Sequence, residues 1–409
     1  MKIWLIKTGE ETQHDKNSRL ARTGQLFEEL SKKHDITWFN SSFNHQKKKQ
    51  RFIKTTSVNY KFNSKIIYLY GIQYQTNISF HRYLSQILNV IEFAKELKKN
   101  SDKPDIIISS YPTVELAFIA CLFAKRNNIP FIIDVRDMWP DIILNNLSFL
   151  KKIFFFPLYY LWNFMFKYTL RNSHSILSIT KEFLDWTLKK GNVLFDSNKH
   201  QFFHLSKPIN NIITKKNVNS KVLKKISALK GKINIVFAGS VSKRHNFKII
   251  FNSLKEKKFD NINIIICGAG KLFETYKSEY SEYKNIIFFH WLNNADLNYV
   301  LAKCHYGLLP YYGLDFNKSY PNKIAEYLSN NLKIISCDGG LVSDLIKNND
   351  IGFKYKQDSV PSFHFILKKL SNKKDNRPRK VYEKMFNFKI ILNNHVKHIE
   401  SIYKVNWNK

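Results

Sequence analysis

The chain has 409 residues, 44% of them hydrophobic, enough for two domains with separate cores. Its 66 Lys and Arg against 32 Asp and Glu leave a net charge of +34, which attracts phosphorylated ligands, anionic lipid or nucleic acid. No Cys/His finger or aromatic–glycine stacking signature is present, so nucleic acid is not the expected partner, and no apolar run reaches the roughly 18 residues of a membrane span.

Short apolar runs alternate with helical stretches from the amino terminus onward. Met1-Lys-Ile-Trp-Leu-Ile is too short for a signal peptide and reads as a first strand over Lys2–Ile6. Further strands are expected at Asp35–Phe39, Ile66–Tyr70, Asp105–Ser109, Phe131–Val135 and Ile176–Ile179, with helices over Leu20–Lys33, Ser79–Lys99 and Thr113–Asn127. Runs such as Ile106-Ile-Ile-Ser are continuously apolar, as strands covered on both faces should be, which argues a parallel sheet with crossover helices. Residues 207–231 are polar and rich in Lys and Asn, and read as a linker. Strand runs restart at Ile233–Phe237, Ile262–Cys267, Ile286–Phe289, Tyr306–Pro310 and Lys333–Ser336. The expected organisation is a first α/β domain over 1–206, the linker, a second α/β domain over 232–375, and a tail over 376–409 whose helix crosses back onto the first domain. Two such domains would place a ligand cleft at the carboxyl ends of their strands.

The four cysteines, Cys121, Cys267, Cys304 and Cys337, lack CxxC spacing and sit in or beside apolar runs, as buried thiols in a reducing compartment would. The histidines show no metal-ligand spacing, and no bound metal is expected. No serine elbow or Cys/His nucleophile signature appears.

Lys151 to Lys167 is the most aromatic stretch, with an uncharged run over Ile153–Phe166 flanked by Lys151, Lys152, Lys167 and Arg171. Two readings stand open. It is a buried helix of the first domain, or it lies in a lipid headgroup layer through Phe154, Phe155 and Trp162.

Four strand-to-loop segments carry candidate chemistry. Asp134-Val-Arg-Asp137-Met-Trp-Pro-Asp141 ends a buried strand; Asp137 could orient an acceptor hydroxyl and Arg136 bind phosphate, or the two could be a structural pair. Gly239 follows a strand and lets backbone approach a ligand, with Lys243 or Arg244 available to neutralise a diphosphate. Gly24 sits where a loop becomes a helix, a place for a phosphate or acceptor. In Ser319-Tyr-Pro-Asn322-Lys-Ile-Ala-Glu326-Tyr-Leu, Glu326 lies one helical turn after Asn322 and can accept hydrogen bonds from a ribose diol while the helix end takes a diphosphate.

With Ser18–Gly24, His34–His45, Pro104–Ser109, Asp134–Asp141 and Ser319–Leu328 in this order, the chain resembles family 4 glycosyltransferases of the GT-B fold, on the bacterial surface-polysaccharide (O-antigen and capsule) branch. The resemblance implies two Rossmann-like, doubly wound parallel-sheet domains facing a central cleft. It implies a retaining, metal-independent transfer from a nucleotide-sugar to a lipid-linked saccharide, at the cytoplasmic face of an anionic membrane, with no cofactor beyond the donor. Carried over, Glu326 binds the donor ribose, and Asn322 and Lys323 approach the sugar or diphosphate. Gly239, Ser240 and Lys243 or Arg244 line the phosphate site, Gly24 closes it, and the loop with Arg136 and Asp137 faces the reacting centre. Two departures matter. Relatives carry a glutamate eight positions before Glu326, where this chain has Lys318, so the sugar contact falls to Asp315 or Asn317 or is lost. Ser240 replaces the commoner arginine. A nucleotide-sugar epimerase of the same fold and a non-enzymatic polyanion or membrane binder are the alternatives.

Overall fold

The computed structural model describes the chain apart from residues 17, 77–78, 100–101, 209–216, 227–228, 257–258, 312–316 and 408–409. It divides into two units, Met1–Phe203 with Ile390–Lys409, and His204–Lys389.

The first unit is built on a sheet of β1 (Lys2–Ile6), β2 (Asp35–Ser41), β5 (Thr56–Asn59), β6 (Lys65–Leu69), β7 (Ile106–Tyr111), β8 (Phe131–Val135), β9 (Ser175–Ser178) and β10 (Gln201–Phe202), beside a small hairpin of β3 (Phe43–Asn44) and β4 (Lys49–Gln50). The sheet order is β10-β9-β8-β7-β1-β2-β6-β5, parallel except for the edge strand β5. Helices α1 (Arg22–Leu30), α2 (Phe80–Lys99), α3 (Val114–Arg126), α4 (Asp141–Asn146), α5 (Phe149–Arg171) and α6 (Lys181–Gly191) connect the strands. Alternation along β1 shows why both faces are covered: Trp4 and Ile6 enter one core with α3 and α5, while Ile3 and Leu5 enter the other with α1. Each such buried side chain stabilises the unit by about 1.5–3 kcal/mol.

The second unit has a fully parallel sheet, ordered β13-β12-β11-β14-β15-β16, of β11 (Ile233–Ser240), β12 (Ile262–Ala269), β13 (Ile286–Phe289), β14 (Tyr306–Leu309), β15 (Lys333–Cys337) and β16 (Gly352–Tyr355). Its helices are α7 (Ser220–Ile226), α8 (Phe247–Glu256), α9 (Phe273–Glu279), α10 (Asn294–Ala302), α11 (Lys323–Ser329), α12 (Gly340–Asn349), α13 (Val360–Lys369) and α14 (Arg377–Val381). Val236 on β11 faces one core and Ile235 and Phe237 the other.

Two sequence expectations need correction. Residues 207–231 are not all linker: Val222 and Ile226 bury one face of α7 in the second unit's core, joined by Val218 before the helix and Leu229 after it, and the surrounding lysines hid that spacing. The tail is not one helix. A π-helical turn at Tyr382–Phe386 and Asn387 precede α15 (Phe388–Trp407), whose Ile399 and Ile402 join the core of the first unit. All four cysteines are free and buried, and burial pushes the Cys121 and Cys304 thiols up to about 12.

Candidate active site

In the second unit the chain runs outward from β11 through β12 to β13, then returns to the other side of β11 as β14. The carboxyl ends of β11 and β14 therefore flank a topological switch point, where open parallel sheets bind ligands. Gly239 is the penultimate residue of β11, and Tyr311 follows β14 by two residues. Lys323 begins α11 and reaches into the gap between them. Its Nζ donates to the Tyr311 hydroxyl and lies 4.8 Å from the centre of the Phe237 ring.

Gly239 has φ 143°, and a Cβ there would stand 2.5 Å from Lys323 Cε and 2.7 Å from Nζ. Glycine thus makes room for the ammonium group as well as the backbone angle. Burial lowers the Lys323 pKa to about 8, against the opposing pull of Glu326.

The helix that carries Lys323 is docked tightly. Tyr327 is fully buried and its hydroxyl accepts from the Ala238 amide at 2.9 Å. Gly307 on β14 admits the Tyr327 ring, which would stand 2.2 Å from a Cβ. These two residues fix the rotation and height of α11, and so the aim of Lys323 and Glu326. Glu326 is half-buried, and among the described residues its carboxylate has no hydrogen-bond or ion-pair partner. Asn322 is exposed and caps α11 by position without a side-chain bond.

His245 sits on the same side. Its Nδ1 accepts from the Ser242 amide at 3.2 Å, so in the neutral ring the proton is on Nε2, which is buried and without a partner among the described residues. Burial, with Lys323 beside it, lowers its pKa to about 4. Its ring centre is 4.7 Å from that of Tyr311. Ser240, the last residue of β11, is exposed, and so are Lys243 and Arg244 on the loop that follows. Gly340, at φ 68°, lies so close to Asn317 that a Cβ would meet its Cα at 2.4 Å.

The first unit has its own switch point, between β1 and β7. A buried polar network fills the strand ends there. Arg136 donates from Nε to Asp134 at 2.7 Å, from Nη1 to Glu10 at 2.8 Å, and from Nη2 to Thr23 at 3.0 Å and Ser110 at 2.8 Å. Arg22 approaches the other Asp134 oxygen at 3.3 Å. Burial would raise the Asp134 pKa, but the two guanidinium groups hold it at about 2. Burial lowers Lys7, in the same region, to about 8.

Residues 219–386 match the model of the family described as Glycosyl transferases group 1. The second unit carries a group 1 glycosyl transferase domain. The protein is a transferase enzyme. No curated protein matches the chain. Among solved structures, sucrose-phosphate synthase from Thermosynechococcus elongatus is similar with a TM-score of 0.71 at 10% identity, covering 99% of each chain. Anabaena HepE in complex with UDP-glucose has a TM-score of 0.64 at 10% identity, over 98% of this chain and 100% of that one. The lipopolysaccharide outer core galactosyltransferase WaaB, in its apo form, has a TM-score of 0.57 at 16% identity, over 98% and 99%. At these identities the likeness establishes the fold, and the expected two-domain GT-B architecture holds.

Within the transferase domain, the structure brings Gly239 and Lys323 together, with Glu326 one turn along and Asn322 next in sequence. Asp315 lies outside the described residues. Three expectations in the first unit change. Arg136 is not a free phosphate ligand: every one of its guanidinium nitrogens is engaged in the buried network, so it positions the loop that carries the half-buried Asp137. Trp162 is not on an exposed face: it is buried, and its Nε1 donates to Glu115 at 2.6 Å. Phe155 is partly buried against it, with ring centres 5.6 Å apart, while Phe154 is exposed. Gly24 is buried in the first turn of α1, where a Cβ would stand 3.1 Å from Leu20 and its carbonyl accepts from Gln13.

Sequence reasoning missed Tyr311, His245 and the Gly307–Tyr327 pair. The signal for Tyr311 was available, because Pro310-Tyr311 ends an apolar strand just as the other candidate loops do. His245 stands two residues after Lys243, within a candidate loop, but only packing reveals that its ring is buried.

Proposed function

We propose that this group 1 glycosyl transferase is a nucleotide-sugar glycosyltransferase. It moves a sugar, with retention and without a metal, from a nucleoside-diphosphate donor to a lipid-linked saccharide in surface-polysaccharide synthesis, working peripherally at the cytoplasmic face of the inner membrane. The observation that carries the reading is the Lys323 ammonium held across Gly239 at the switch point, with the Glu326 carboxylate, which has no partner among the described residues, one turn away. A cation supported by aromatic rings and one hydroxyl is set to meet the charge of a departing diphosphate. A half-buried carboxylate without a partner among the described residues is set to accept from a ribose diol. HepE is seen in complex with UDP-glucose and WaaB is a galactosyltransferase, and both support a donor of the same class here.

In this scheme Lys323, with Lys243 or Arg244 from the neighbouring loop, stabilises the leaving group, and loss of one such contact costs about 3 kcal/mol of barrier. The departing phosphate takes the acceptor proton, and Asp137 orients the acceptor hydroxyl. The enzyme acts by position and charge, with no covalent intermediate.

Thermal shifts of the wild type with UDP, GDP, ADP and a polyanion test the reading. A rise with one nucleotide supports a donor site and identifies its base. A rise with the polyanion alone would replace the transferase donor site with general polyanion binding.

A further inference from the structure

Helix α5 divides lengthwise. At about 100° per residue, Trp162, Phe166 and Leu170 lie on one side, buried in the first unit's core. Phe149, Leu150, Ile153, Phe154, Leu161 and Phe164 fall within an arc of about 140° on the other side, and all six are exposed, Phe154 by 87% and Phe149 by 77%. The core therefore takes only one side of this aromatic-rich helix. An exposed apolar face of this kind marks an interaction site.

Charge identifies the occupant. Helix α5 contains no acidic residue and four basic ones, Lys151 and Lys152 near its start and Lys167 and Arg171 near its end, on a chain of net charge +34. Apposing a second copy through this face would bring like charges together, whereas an anionic headgroup layer complements them. Among the described residues no helix is long and apolar enough to cross a membrane, so the geometry is that of a helix lying in the interface with aromatic side chains inserted.

We infer that the outer face of α5 docks the first unit onto an anionic lipid bilayer. The inference rests on the peripheral-membrane part of the function proposed above and assigns it to a face from which Trp162 is excluded. The side chains involved are exposed, so they can be changed without opening the core.

The test is co-sedimentation of the full chain with vesicles of phosphatidylcholine alone and of phosphatidylcholine with phosphatidylglycerol, at low and high salt. No nucleotide-sugar or saccharide acceptor is present. The wild type is expected to bind the phosphatidylglycerol vesicles, more weakly at high salt. The variant Phe154→Ser/Leu161→Ser/Phe164→Ser, checked for unchanged circular dichroism and melting, is expected to lose binding at least tenfold. The surface variant Lys151→Glu/Lys152→Glu should lose most of the preference for the anionic vesicles. Equal binding by the folded triple variant would overturn the assignment. So would a wild type that binds neither vesicle but forms a dimer that the triple variant abolishes, since the face then belongs to a second copy. A nucleotide-induced thermal shift that persists when vesicle binding fails would overturn the docking face and leave the transferase reading intact.

Discussion

The Lys323 side chain fills the space that a Cβ on Gly239 would occupy, with Nζ 2.7 Å and Cε 2.5 Å from that position. Gly239→Ala therefore acts twice. It strains a backbone with φ 143° that side-chain-bearing residues rarely adopt, and it pushes the ammonium from between Phe237 and Tyr311. The expected backbone cost is about 1–3 kcal/mol of stability. Transfer should fall further than stability alone explains, which steady-state rates and a melting curve on the same preparation will separate. A variant with full activity would remove Lys323 from the donor site.

Glu326→Ala should abolish transfer and leave the melting temperature within a degree or two, because the carboxylate supports no other described residue. The sharper measurement compares a ribonucleotide with its 2′-deoxy counterpart. Wild type should bind the ribonucleotide more tightly by tenfold or more, and the variant should bind both alike. Persistent discrimination in the variant would assign the diol contact elsewhere.

The lowered Lys323 pKa sets a direction with pH. Its ammonium is charged below about 8 in the free enzyme and is neutral above it. Donor kcat/KM should therefore fall as pH rises through about 8, and Lys323→Arg, if active, should hold its value further into the alkaline range. Stability should move the opposite way. The folded lysine releases its proton earlier than the unfolded one, so the unfolded state binds more protons between about 8 and 10.5 and stability from this group rises with pH across that window. Lys7, also lowered to about 8, contributes in the same sense. Falling activity alongside rising stability distinguishes loss of the cation from unfolding.

The parts of this arrangement legible in sequence are those encoded by local pattern. Continuous Ile-rich runs marked the buried parallel strands, because a strand covered on both faces has no polar side to interrupt it. The Asn322-to-Glu326 spacing placed a carboxylate one turn into a helix. What stayed hidden depends on residues far apart in the chain. Tyr311 and Gly239 meet Lys323 only because β14 returns beside β11, and Gly307 matters only once Tyr327 is pressed against it. Strand β16, Gly-Phe-Lys-Tyr, has no apolar run because it is an edge, and α7 was masked by lysines around a correct hydrophobic spacing. Arg136 shows the reverse difficulty. A charged pair at a strand end looks the same in sequence whether it meets substrate or fills a buried network.

That network gives a further prediction. Arg136→Met leaves Glu10 and Asp134 each short of a charged partner in a buried setting, and breaking such a set by removing one member costs about 3–5 kcal/mol. The loss should appear in denaturant midpoint first. Nucleotide-induced thermal shift, read on the fraction still folded, should remain, because the donor residues lie in the other unit. Loss of nucleotide binding with unchanged stability would make Arg136 a ligand after all.

The two aromatic sides of α5 should separate cleanly in stability. Trp162→Ala removes a buried ring and leaves Glu115 without the Nε1 donor, in a place where burial already raises the carboxyl pKa. A loss of about 3–5 kcal/mol is expected from the cavity alone. Phe154→Ala, at a ring 87% exposed, should change stability by no more than about 0.5 kcal/mol. Urea unfolding of the two variants checks this directly. If Phe154→Ala proved as destabilising as Trp162→Ala, the outer face would be covered within the protein itself, and the aromatic helix would be core on both sides.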